Sequence, residues 1–188
     1  MKYFFGFLAS LGLIILVFVL VLRGFGGNSE EASKSPLTDF ASSDAVVRLT
    51  VDGRIVSEQE HRAYQITIGR SEVRLETLKG YEYETVTTKT YENNQEGFYN
   101  FLRALSIAGF DRGVDPENDD NNDERGVCAD GQRYVYEIIQ GTSEEQRFWS
   151  TSCGGDGTFK GNAAAVRQLF QKQIPLKDQS KIIGRVQL

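Results

Sequence analysis

Residues 115–128 read DPENDDNNDERGVC, a run of acidic side chains and amides leading into a cysteine. Alternating carboxylates and amides are what a calcium ion takes, because a hard cation gathers several oxygen ligands. Counted from Asp119, Asn121 and Asp123 hold the third and fifth positions of an EF-hand-type loop, and Asp130 holds the twelfth. The pattern breaks at the sixth, where Glu124 replaces the glycine that makes the sharp turn and Gly126 arrives too late. The twelfth ligand should be a glutamate, and no paired helices are expected on either side. Asp, Asn and Gly are also the residues that ordinary loops use. The expected reading is a solvated acidic loop, with calcium binding through Asp119, Asn121, Asp123 and Asp130 as the alternative.

Catalytic chemistry has little to draw on. His61 is the sole histidine, so any Ser-His or Cys-His scheme has to run through it, and no nucleophile motif accompanies it in SEQEHRAY. A surface histidine is the expectation. One histidine and two cysteines cannot supply the usual zinc ligand set. Paired carboxylates for a hydrolase remain as an alternative, since 26 acids always contain some close pair in space. The glycine-rich CGGDGTFKGN, residues 153–162, invites a phosphate-cradle reading but lacks the P-loop spacing, and is expected to be a turn-rich connection into a helix. Tyr134, Tyr136, Phe148 and Trp149 are either a binding platform on a hairpin face or, as is more usual, sheet core and cross-strand pairs.

The elements that must position these residues follow from periodicity. Alternation in AVVRLTVDGRIV puts Val47, Leu49 and Val51 on one face, and Asp52-Gly53 signals a turn. HRAYQITIGR, SEVRLETL and YEYETVTTKTYE continue the pattern, which predicts a four-stranded antiparallel meander with one apolar and one polar face. In NNQEGFYNFLRALSIAGF the period changes, with Phe98, Phe101, Leu102, Leu105 and Ala108 on one helical stripe, Asn93 and Glu96 as a capping box, and Gly109 as the stop. A hairpin follows, GQRYVYEIIQ and EQRFWSTSC around the turn GTSE. Antiparallel pairing there brings Cys128 to Cys153, and one bridge across its open end is expected. A last helix, NAAAVRQLFQKQI, starts at Asn162 and stops before Pro175. The expected fold is α+β: a transmembrane helix, then meander, helix, hairpin and helix in one compact domain.

The transmembrane helix rests on residues 3–22, an uncharged and mostly apolar run between Lys2 and Arg23, long enough for one span. Its length and the absence of an A-x-A site argue against a cleaved signal peptide, and no cysteine marks a lipoprotein. The small excess of positive charge before the run predicts a cytoplasmic N-terminus and an extracytoplasmic C-terminal domain. Residues 24–44, rich in Gly, Ser and acids, are expected to form a flexible stalk between the 1–23 anchor and a 45–188 domain. Setting aside Lys2 and Arg23 leaves 19 bases against 26 acids, a net −7 that repels nucleic acid.

With the N-terminal span, the segments GVCADGQRYVYEI, RFWSTSCGGDGTF and VRQLFQKQIP resemble single-span membrane-anchored proteins of candidate-phylum bacteria of the Saccharibacteria kind, mainly over residues 125–175. That family carries no known activity, so the resemblance assigns no functional residue. A type IV pilin is excluded, because Leu11 stands where the processed chain after Gly6 needs glutamate. The function expected from sequence is a membrane-anchored binding or structural protein without cofactor, meeting an envelope partner; a carboxylate-dependent hydrolase is the alternative.

Overall fold

In a computed structural model of the chain, the structure describes residues 36–114, 123–155 and 157–180. The expected span over residues 3–22, most of the stalk, Asp119, Asn121 and the segment 181–188 lie outside these residues. Among the described residues no helix is long and apolar enough to cross a membrane.

The domain is α+β and built on one six-stranded antiparallel sheet. The strands are β1 (Val46–Asp52), β2 (Arg62–Ile68), β3 (Glu72–Lys79), β4 (Glu84–Glu92), β5 (Arg133–Gln140) and β6 (Ser143–Thr151), arranged β4-β3-β2-β1-β5-β6. The predicted meander supplies the first four and the predicted hairpin the last two. What joins them is β5 pairing with the free edge of β1, Leu49 opposite Tyr136 and Val51 opposite Tyr134. Every second residue of these central strands is apolar and buried, so the register that aligns the stripes is the one that leaves no strand face misplaced.

Helices α1 (Gln95–Ile107) and α2 (Ala163–Lys172) cover one face. Phe98, Phe101, Leu102 and Leu105 of α1 and Val166 and Phe170 of α2 meet Val47, Leu49, Ile66, Leu75 and Tyr136 in a single core, all at most 4 % exposed. Phe101 and Phe170 meet edge to face with centroids 5.3 Å apart, which ties the two helices together. Asn162 caps α2 as expected, its Oδ1 accepting from the Ala165 amide. The cap of α1 is Asn94, whose Oδ1 accepts from Gly97, and not Asn93. Asn93 instead donates to the Gly69 carbonyl and fastens the helix start to the β2–β3 turn.

Three expectations are revised. The folded unit starts at Pro36 rather than residue 45. Leu37–Ser42 form a 3-10 helix that lies against α1 and buries Leu37 and Ala41, two apolar residues in a stretch read from its composition as stalk. β4 begins at Glu84, because Gly80 and Tyr83 both take positive φ and turn the chain before the strand can start. The sheet face away from the helices is also not simply polar. At its β1, β5 and β6 end, Thr50, Asp52, Arg133, Val135 and Trp149 are all buried.

Candidate functional site

Asp52, at the end of β1, lies opposite Arg133 at the start of β5 in the sheet register. Strand alternation puts both on the face away from the helices, where two charges would ordinarily be solvated. Here both side chains are under 8 % exposed. The Arg133 Nε and Nη2 both donate to Asp52 Oδ2, at 2.9 and 2.5 Å, and Nη2 also donates to the Gly53 carbonyl. A fourth donation, from Nη1 to the Val127 carbonyl, connects the pair to the segment that follows the acidic stretch.

The other carboxylate oxygen, Oδ1, stands 2.8 Å from Nε2 of His61. His61 is fully buried, which overturns the expected surface position. Its Nδ1 lies 3.1 Å from the Gly80 carbonyl, which can only accept, so Nδ1 carries a hydrogen. On the far side Nε2 faces Oδ1, and neither buried atom has another partner among the described residues. The sole histidine is therefore a structural bridge from β1 to the β3–β4 turn. Gly80 is needed for this: its φ is +69°, and a Cβ there would run into the Glu58 carboxylate.

Tyr81 closes the network from outside. Its ring stacks on the imidazole with centroids 4.0 Å apart, and its hydroxyl donates to the Val56 carbonyl while accepting from the Val56 amide. Both ends of that side chain are thus fixed. Tyr83 follows in the left-handed region at φ 52°, which an aromatic residue takes only against steric resistance. Burial, reinforced by the carboxylates of Asp52 and Glu124, pushes its phenol up to about 12.

The acidic segment supplies the opposite wall. Glu124 is buried and accepts from Arg147 of β6 at 2.5 Å. Asp123 accepts from Nε and Nη2 of Arg125, and that guanidinium holds its carboxyl down at about 2. Of the residues considered for calcium, Asp123 is thus committed to an arginine and Asp130 is exposed, while Asp119 and Asn121 are outside the described residues. No group of His, Cys, Asp and Glu able to hold a metal occurs among the described residues.

Between these walls lies a cleft of about 740 Å³, lined by Asp52, Ile55, Tyr81, Tyr83, residues 123–126, Arg133 and Arg147. The Cys128–Cys153 disulfide closes the open end of the hairpin as the spacing predicted. Gly131 is obligatory beside it, since a Cβ at that position would strike the Cys128 sulfur.

The aromatic platform considered on the hairpin does not form. Tyr134, Tyr136, Phe148 and Trp149 are each at most 5 % exposed, because both faces of the sheet are covered at these positions of β5 and β6. Tyr134 lies under the Arg167 guanidinium, and Tyr136 packs on Phe159. The glycine-rich connection is spent on structure too. Thr158 accepts from the Trp149 amide, Phe159 donates to the Trp149 carbonyl, and Lys160 reaches back to Gly157. Exposed aromatic surface is found instead at Tyr81 and Tyr83, 42 % and 38 % exposed, which the sequence pattern had assigned to a strand.

No protein-family model matches the chain, and no curated protein matches it either. The functional reading therefore rests on this geometry.

Proposed function

We propose that this chain is a binding protein held in the cytoplasmic membrane by residues 3–22, with its α+β domain outside and the cleft over Asp52, Arg133 and His61 as its recognition site. The observation that carries the reading is the half-exposed Tyr81, stacked on the buried His61 and pinned at its hydroxyl by Val56, with Tyr83 beside it in the cleft lining. A rigid aromatic surface loses little entropy when a partner docks, which is why tyrosine is favoured at recognition sites. The three carboxylates lining the cleft, Asp52, Asp123 and Glu124, are each held by a guanidinium. That arrangement suits recognition better than proton transfer, which needs a carboxyl free to gain and lose its proton. The disulfide fits an oxidising compartment, and the net charge of −7 over residues 24–188 disfavours nucleic acid.

Photo-cross-linking in intact cells tests this, with the reactive group placed at position 83 in one strain and at 99, an exposed tyrosine position on α1, in another. An envelope component captured from position 83 and not from 99 supports the reading. Capture from 99 alone, or cytoplasmic partners from 83, refutes it. Protease added to spheroplasts should remove the domain if it lies outside, and leave it intact if it does not.

A further inference from the structure

We propose that the cleft takes a neutral saccharide, a pyranose ring stacking on Tyr81 with its hydroxyls read by the neighbouring carboxylate and guanidinium groups. This rests on the reading of the cleft as a recognition site and names its ligand class.

One face of the Tyr81 ring is occupied by His61, at 4.0 Å and 24° between planes, so the exposed part of the side chain belongs to the other face and its edges. The hydroxyl is already saturated by Val56. What Tyr81 offers a ligand is a flat, immobile π surface. The charges around it narrow the choice. Arg125, Arg133 and Arg147 are balanced by Asp123, Asp52 and Glu124, so the lining carries no net sign. A phosphate or carboxylate ligand would meet guanidinium groups already neutralised by carboxylates, and a cation would meet carboxylates already neutralised by guanidinium groups. A wholly apolar ligand would strip water from the ion-pair edges without replacing their hydrogen bonds. A sugar fits both requirements. Its CH face lies on an aromatic ring, and its hydroxyls both donate and accept, so it can meet carboxylate and guanidinium groups alike without adding charge.

Tyr83 is the second, independent sign. A left-handed position between two strands is normally given to glycine or asparagine, and strain of this kind persists where the side chain is needed. Tyr83 lines the same cleft at 38 % exposure.

The test uses the full-length chain in a detergent without a sugar headgroup, with tyrosine rings isotopically labelled for NMR. The probes are the neutral N-acetylglucosamine tetramer, cellotetraose, and the cationic glucosamine tetramer. The inference expects saturable shifts of the Tyr81 and Tyr83 ring signals with at least one neutral tetramer. It also expects binding weakened about tenfold or more by Tyr83→Asn, whose melting temperature is held or raised, and unchanged binding for Tyr99→Ala. No shift with either neutral tetramer, stronger binding of the cationic one, or undiminished binding by Tyr83→Asn would overturn it. Should position 83 still cross-link to an envelope protein while neither sugar binds, the saccharide assignment falls and the recognition site stands. If both fail, both readings fall.

Discussion

At the scale of single residues, the site depends on charges placed where water cannot reach them. Asp52 serves Arg133 with one oxygen and His61 with the other, so its loss strands a buried guanidinium. Asp52→Ala should cost about 3–5 kcal/mol in urea unfolding, the usual penalty for breaking a buried pair from one side. A loss below about 1 kcal/mol would mean that the pair is solvated after all. Trp149 makes the complementary case. Had it stood on an exposed platform, truncation would barely matter; as a fully buried side chain, Trp149→Ala should cost about 3–5 kcal/mol by the same measurement.

At the scale of elements, two fastenings hold segments that the sheet alone would not. The disulfide closes a loop with a sequence separation of 25, so replacing both cysteines by serine should lower stability by about 3 kcal/mol on loop entropy. Hydrogen exchange should then speed up most in residues 123–131, which the bridge holds to the end of β6. The second fastening is at the C-terminal side, where Asp178 accepts from Lys89 and Tyr91 of β4. The hydrogen bond from Lys89, then that from Tyr91, holds the Asp178 carboxyl below its ordinary 3.8. Its contribution is therefore complete above the unfolded aspartate range and lost as pH falls through the lowered value. Burial, then Asp178, pushes the Tyr91 phenol up to about 12 from 10.0, so the phenol side of the clasp is complete below pH 10 and lost as pH rises toward 12. Protection of the amides in residues 175–180, taken relative to their intrinsic exchange rates, should fall at both extremes. Asp178→Asn should remove the acid branch, and an acid branch that survives that substitution would place its cause elsewhere.

At the scale of the whole molecule, the acidic segment is tied into the fold through arginines. Melting of the full chain should shift by less than a few degrees between calcium and chelator, since Asp123 and Glu124 already have guanidinium partners. A calcium-dependent rise of several degrees would restore the ion-binding reading. Local pattern was enough to determine the elements: alternation marks β1, β2 and β3, the helical stripe marks α1 and α2, Asn162 marks a cap, and two cysteines permit one bridge. These features are legible because each is decided within a few residues of its own neighbourhood. Fold class followed from their order. What tertiary structure decided is everything that depends on pairing across distance. That β5 joins β1 places Arg133 beside Asp52, 81 residues away, and no local pattern encodes that register. The helices over one face turned Tyr134, Tyr136 and Phe148 into core, and burial of the second face took in Trp149 and, beside Asp52, the lone histidine. Tyr81 and Tyr83, read by composition as strand, became the exposed surface because two positive-φ residues fold the chain back over the network. Sequence determined which faces are apolar; only the packed chain decided which polar groups had to find each other once water was excluded, because an unpaired buried charge is too costly to leave.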